Sequence, residues 1–170
     1  MPDGNFVLVV IVLLLMNVLM NAIKHLREWE RGVVVRLGKF HDVRGPGMTF
    51  VIPLIERMYR IKMRPIALDV PPQDILMKDE VTVRVNTGVI FRVISPKDAV
   101  VNVEDFSAAT SQKAQTVLRD VLEHYTFDDL HTRRDTANRR LQSSLDAAIV
   151  QWGLTVDTVE IKHVERVQDE

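Results

Sequence analysis

From Phe6 to Ile23 the chain reads FVLVVIVLLLMNVLMNAI, apolar except for Asn17 and Asn21 and free of charge. Wound as a helix at about 1.5 Å per residue, the run extends about 27 Å, close to the roughly 30 Å of a bilayer's hydrocarbon core. Phe6 to Met16 leaves no polar face, as a helix on the surface of a small soluble domain would require. A secretory signal would place basic residues before the run and a small-residue cleavage site after it. Here Asp3 precedes and MNAIK follows. The pattern predicts a membrane helix over residues 6–26, behind a short tail of residues 1–5. Neither Pro nor Gly lies between Asn5 and Arg31, which favours a single-pass span over a hairpin that dips in and returns, because bent backbone in hydrocarbon finds no water to bond. The monotopic hairpin is the alternative, and Asn17 and Asn21 are then suited to a neighbouring helix. Lys24, His25, Arg27 and Arg31 follow at once, and such charges stay on the cytoplasmic side. The expected location is the cell membrane, with the main domain cytoplasmic.

Beyond the run the periodicity changes. ERGVVVRLGKF predicts a strand over Arg31 to Leu37, closed by Gly38. A turn falls at Gly45-Pro46-Gly47, with short strands near Arg57 to Met63 and Ile66 to Val70. Val81, Val83, Val85, Thr87, Val89, Phe91 and Val93 then alternate with Thr82, Arg84, Asn86, Gly88, Ile90 and Arg92, the mark of an antiparallel strand with one buried and one wetter face. Ser95 and Asp98 around Pro96 predict a helix start. A longer helix over Ser107 to His124 carries the stripe Ala114, Val117, Leu118, Val121, Leu122, Tyr125. Thr126 and Asp129 repeat the capping pattern. The next helix, with the stripe Ala137, Leu141, Leu145, Ala148, Ile149, Trp152, reaches Trp152 and stops at Gly153. LTVDTVEIKHVERV is a last strand whose alternation changes parity near Thr158. Strands, then helices, then a strand give an α+β fold, divided into a mostly β part over residues 27–95 and a sheet-plus-helices part over residues 96–170.

Composition narrows the function classes. A net charge of −1 with 26% charged residues gives no global pull toward nucleic acid. Cysteine is absent, in keeping with a reducing compartment. No nucleophile sits in a G-x-S-x-G turn. The histidines, His25, His41, His124, His131 and His163, show no HExxH spacing. Asp128, Asp129 and His131 read as an acidic first helical turn rather than a metal site, and no glycine-rich phosphate loop is present. The expectation is a protein without enzymatic activity, cofactor or metal.

The stretches RGVVVRLGKF, GPG, LDVPPQDILMKDEVTVRVNTGVIFRV, ATSQKAQTVLRDVL and WGLTVDTVEIKHVE, in that order, resemble the stomatin/prohibitin superfamily, also called SPFH or band 7, and within it the stomatin-like slipins. The resemblance spans about residues 28–165. It implies a membrane-proximal, mostly β first subdomain, a second subdomain of sheet and helices, and assembly into a ring or cage. It also implies a scaffold that organises membrane microdomains and regulates neighbouring membrane proteins. The alternative function is a regulatory partner or substrate of a membrane-bound serine protease in quality control, such a protease being a possible partner. Two departures stand out: the apolar run lacks the proline-broken hairpin of many stomatins, and the long helical segment that usually follows is absent. The sequence is then either a fragment or one whose oligomer closes without that helix.

Two candidate surfaces follow. Membrane contact is assigned to Phe6, Val10, Leu14, Leu19 and Ile23, and to Met48, Phe50 and Ile52 in MTFVIPLI. In a lone soluble domain the latter stretch would be a buried strand or core loop; the resemblance favours insertion, with Arg44, Arg57 and Arg60 near anionic headgroups. RRDTANRR supplies Arg133, Arg134, Arg139 and Arg140, either a solvated helix face or an oligomer interface facing Glu104, Asp105 or Asp120 of the next copy.

Overall fold

The computed structural model describes residues 4–167, with side chains from Val7 onward. The chain divides into two units, Met1–Lys62 and Met63–Glu170.

The first unit opens with α1 (Gly4–Ala22), followed by β1 (Ile23–Leu26), β2 (Glu30–Arg36), β3 (Lys39–Arg44), β4 (Gly47–Phe50) and β5 (Glu56–Lys62). Residues 23–26, expected to finish the membrane helix, instead form β1, which pairs antiparallel with β4 from Ile23↔Phe50 to Leu26↔Gly47. The ladder satisfies backbone groups that a continued helix would have bonded internally, and the Val51 amide closes the junction by donating to the Ala22 carbonyl at 2.8 Å. The remaining strands make an antiparallel sheet ordered β3-β2-β5. Val33 and Val34 are both buried although adjacent, because β2 is covered on both faces and shifts register against β3 between Val34 and Val35. Gly32 is needed there: a Cβ would lie 2.6 Å from Met58 Sδ and 3.0 Å from Leu26 Cδ1.

The second unit runs β6 (Ile66–Leu76), β7 (Thr82–Val93), α2 (Pro96–Val101), α3 (Phe106–Leu122), α4 (Phe127–Thr132), α5 (Arg134–Ile149), a 3₁₀ turn (Val150–Trp152) and β8 (Leu154–Arg166). The sheet is antiparallel, ordered β6-β7-β8. The alternation along β7 decides its core: Val83, Val85, Thr87, Val89, Phe91 and Val93 are all buried. Leu118 and Leu122 from α3 and Leu141, Leu145 and Ile149 from α5 are buried too, each contributing about 2 kcal/mol by leaving water.

Local chemistry starts and stops these helices. Ser95 caps α2, its hydroxyl accepting from the Asp98 amide. Asp105 caps α3 by accepting from the Ser107 and Ala108 amides at 2.9 and 3.0 Å. Thr126 and Asp129 form a reciprocal capping box on α4, and the Thr126 hydroxyl and amide hold the Asp129 carboxyl below its ordinary range. Gly153, at φ 69°, ends the 3₁₀ turn. A Cβ at Gly153 would lie 2.5 Å from the Ser95 carbonyl oxygen.

One edge of the second sheet is closed by a stripe on α5. Arg134 donates to the Ile161 and Lys162 carbonyls, while Asn138 accepts from the Ile161 amide at 3.3 Å. Gln142 donates to the Asp157 carbonyl at 2.9 Å. Asp146 accepts from the Val156 amide and the Thr155 hydroxyl at 2.8 and 2.9 Å. These four residues recur every fourth position, so one face of the helix runs along the strand and occupies main-chain groups that an exposed edge would leave open.

Candidate membrane-contact face

The first unit gathers apolar side chains on its outside. Along α1 the large apolar residues from Val7 to Met20 are all exposed, as expected of a helix with no polar face. Val10, Leu14 and Leu19 belong to this set; Phe6 lies outside the described side chains. Among the described residues no helix is long and apolar enough to cross a membrane. α1 itself counts 19 residues.

The surface continues into the strands. Ile23 stands opposite Phe50 and His25 opposite Met48, and side chains directly across an antiparallel ladder share a face. Phe50 and Met48 are 55% and 78% exposed, whereas Leu26, of opposite parity on β1, is buried. After the buried Val51 come Ile52, Leu54 and Ile55, all exposed, and Leu54 is 100% exposed. Leu54 has φ 76° and Leu37, at the β2–β3 turn, has φ 49°, a backbone region uncommon for leucine and stored only where surroundings enforce it. The two turns are joined by the Leu37 amide donating to the Ile55 carbonyl at 3.0 Å.

Glu56 enforces the second turn. Its side chain is buried; Oε1 accepts from Arg36 Nε at 2.9 Å and Nη2 at 2.5 Å, and Oε2 accepts from the Ile52 amide at 2.9 Å. The Ile52 amide first, and then the Arg36 guanidinium, hold the Glu56 carboxyl below its usual range. The arrangement fixes a loop that points leucine at solvent, with an ion pair behind it. Met48, Phe50 and Ile52, singled out in the sequence, are exposed here; the sequence did not single out Leu54, Leu37 or the Arg36–Glu56 clamp. Pro53, which interrupts the alternation, was the available sign that the chain turns outward there.

The residues assigned to an oligomer interface have varied settings. Arg134 is engaged with β8 carbonyls, and Asp105 caps α3. Arg133 links α4 to α5, its amide donating to the Asp129 carbonyl at 2.7 Å. Asp120 is exposed on α3, its carbonyl 2.9 Å from His124 Nδ1. Glu104, Arg139 and Arg140 are exposed. Among the described residues no group of three or more His, Asp or Glu side chains is placed to hold a metal ion.

The α+β chain with this order of strands and helices is a band 7 protein: the SPFH domain / Band 7 family matches residues 24–168, and the chain belongs to that family. A stomatin homolog of Pyrococcus abyssi is 44% identical over 165 residues, covering 97% of this chain and 62% of that protein. Stomatin-4 of Caenorhabditis elegans is 43% identical over 144 residues, covering 84% of this chain and 51% of its own length. Stomatin of Mus musculus is 37% identical, with 84% of this chain and 51% of the mouse protein covered. The chain therefore spans about half to 62% of the length of these relatives.

Proposed function

We propose that the protein is a membrane-anchored scaffold without catalytic activity, assembling with copies of itself to organise lipid and regulate neighbouring membrane proteins. The observation that carries the reading is the apolar surface running from α1 through Ile23, Phe50 and Met48 to Leu54. Large exposed apolar patches mark membrane or protein contacts, and this one is contiguous with a helix that from Val7 to Ala22 is apolar but for Asn17 and Asn21. Over its 19 residues α1 extends about 28 Å, close to the roughly 30 Å of a hydrocarbon core. With α1 inserted, the loop carrying Leu54 reaches the interface and adds a second attachment. Modest attachment per copy becomes firm once copies are linked; exposed Arg139 and Arg140 facing Glu104 or Asp120 on a neighbouring copy would set the register of that assembly.

The test combines topology and mass. Because the chain has no cysteine, Asp3→Cys provides a unique label site, and in sealed vesicles it is expected to react only with reagent on the face opposite the main domain. Labelling from the domain's own face would replace the span with a hairpin. Mass measurement of detergent-extracted protein is expected to give a multimer; a monomer would overturn the scaffold.

One observation favours a second reading, the regulatory partner or substrate of a membrane-bound serine protease. Among the described residues the hydrogen bonds from α5 to β8 reach as far as Lys162, while the strand continues to Arg166, leaving a stretch on which an extended peptide can add as a further strand. Protease co-purification that disappears when residues 164–170 are trimmed would promote this reading.

A further inference from the structure

Where α1 hands over to β1, the first unit holds a cavity of about 410 Å³, lined by Asn21, Lys24, Val51, Glu56, Met58 and Arg60 among others. Its chemistry is divided. Val51 is buried and Met58 half-buried, giving an apolar side. Lys24 and Arg60 bring two cations, and neither pairs with an acid among the described residues. Glu56 also lines the cavity, but its charge is spent: Oε1 is held by Arg36 and Oε2 by the Ile52 amide. The Asn21 amide is engaged by the Asn17 carbonyl at 2.9 Å, which leaves the cations as the groups that await a partner. Unpaired cations sharing one concave site beside an apolar wall favour an anionic ligand that carries apolar substance with it.

Position supplies the source of that ligand. Lys24 is the second residue after the end of α1 at Ala22, and the loop through Val51 is bonded to the Ala22 carbonyl. The cavity is therefore level with the emerging end of the helix, the depth of lipid phosphates when the helix is inserted.

We propose that this cavity binds the phosphate headgroup of an anionic phospholipid, with Lys24 and Arg60 on the phosphate and Val51 and Met58 against the start of the acyl chains. The inference rests on the insertion of α1 proposed above and adds to it a lipid preference located in one site. Arg60 presents a planar fork to phosphate oxygens, and Lys24 a point charge.

To test it, the full chain is reconstituted into phosphatidylcholine vesicles containing a minor fraction of phosphatidylglycerol and extracted in mild detergent, and the retained lipids are counted by mass spectrometry. Phosphatidylglycerol is expected to be enriched roughly 30-fold over its share in the bilayer, the order that two cations at the headgroup level contribute. The double variant Lys24→Gln/Arg60→Gln is expected to retain lipids in the bilayer ratio while partitioning into vesicles as fully as the parent. Lys39→Gln/Lys62→Gln, which removes the same charge from exposed positions of the same unit, is expected to keep the enrichment. Equal enrichment in parent and Lys24/Arg60 variant, or equal loss in both double variants, would overturn the site. Enrichment abolished by millimolar inorganic phosphate would overturn the lipid and assign the cavity to free phosphate. Failure of the parent chain to enter vesicles of phosphatidylcholine alone is a separate result, and it would overturn the insertion of α1 itself.

Discussion

Glu56 is an acid at a strand start whose partner lies across the sheet. Its folded-state pKa is depressed, so the stabilisation it gives is present above its unfolded value and is lost as pH falls through the folded one. Protection of the Ile52 amide from hydrogen exchange is thus expected to be constant near neutrality and to decline below the ordinary glutamate pKa of 4.5. Glu56→Gln is expected to reduce that protection several-fold at neutral pH, leaving β7 amides unchanged; unaltered exchange at Ile52 would show that the carboxylate does not hold the loop. Little of this was legible in the sequence: within ERMYR the acid reads as one of several exposed charges, and Arg36 is 20 residues away. Thr87 was legible as a core position by parity, but its hydroxyl makes no hydrogen bond and faces an apolar cavity of only about 10 Å³ shared with Val89, Leu118 and Leu145. Thr87→Val is expected to raise stability by about 1 kcal/mol, read from the urea midpoint of the detergent-solubilised chain.

At the level of elements, local signals succeeded where they were strong. The period of two along β7, the Ser95 and Thr126 caps and the Gly153 stop all correspond to structure. The parity change near Thr158 is a bulge at Asp157, where Ile90↔Thr158 gives way to Phe91↔Val156, and a second shift occurs between Asn86 and Thr87. β1, β3 and β4 were not legible. β1 lies at the end of a run that reads as helix, and the four residues of β1 and of β4 are too few to establish a period; KFHDVR in β3 carries little apolar alternation. The α5 stripe was also hidden, since Arg134, Asn138, Gln142 and Asp146 look like an ordinary wet face until β8 is seen beside them. Asp146→Ala is expected to cost about 1–3 kcal/mol by leaving the Val156 amide without its acceptor, measured by denaturation. It is also expected to increase self-association through the uncovered strand, measured by light scattering.

For the molecule as a whole, family membership was readable from five short stretches, because they carry turns, core strands and the buried face of α3. The exposed apolar surface was half readable: hydropathy pointed to α1 and to Met48, Phe50 and Ile52, while the full exposure of Leu54 depends on a left-handed turn that composition does not announce. An environment-sensitive dye on Leu54→Cys is expected to shift to the blue when the chain meets vesicles, and a dye on Val150→Cys, on the exposed 3₁₀ turn of the second unit, to stay put; the absence of native cysteine makes both probes unique. No spacer separates α1 from β1, since Ala22 is followed at once by Ile23. Were that helix in lipid as proposed, a bilayer that thins and tips the rod would pull directly on the strands that follow it, so local thickness would reach the first unit as a mechanical input.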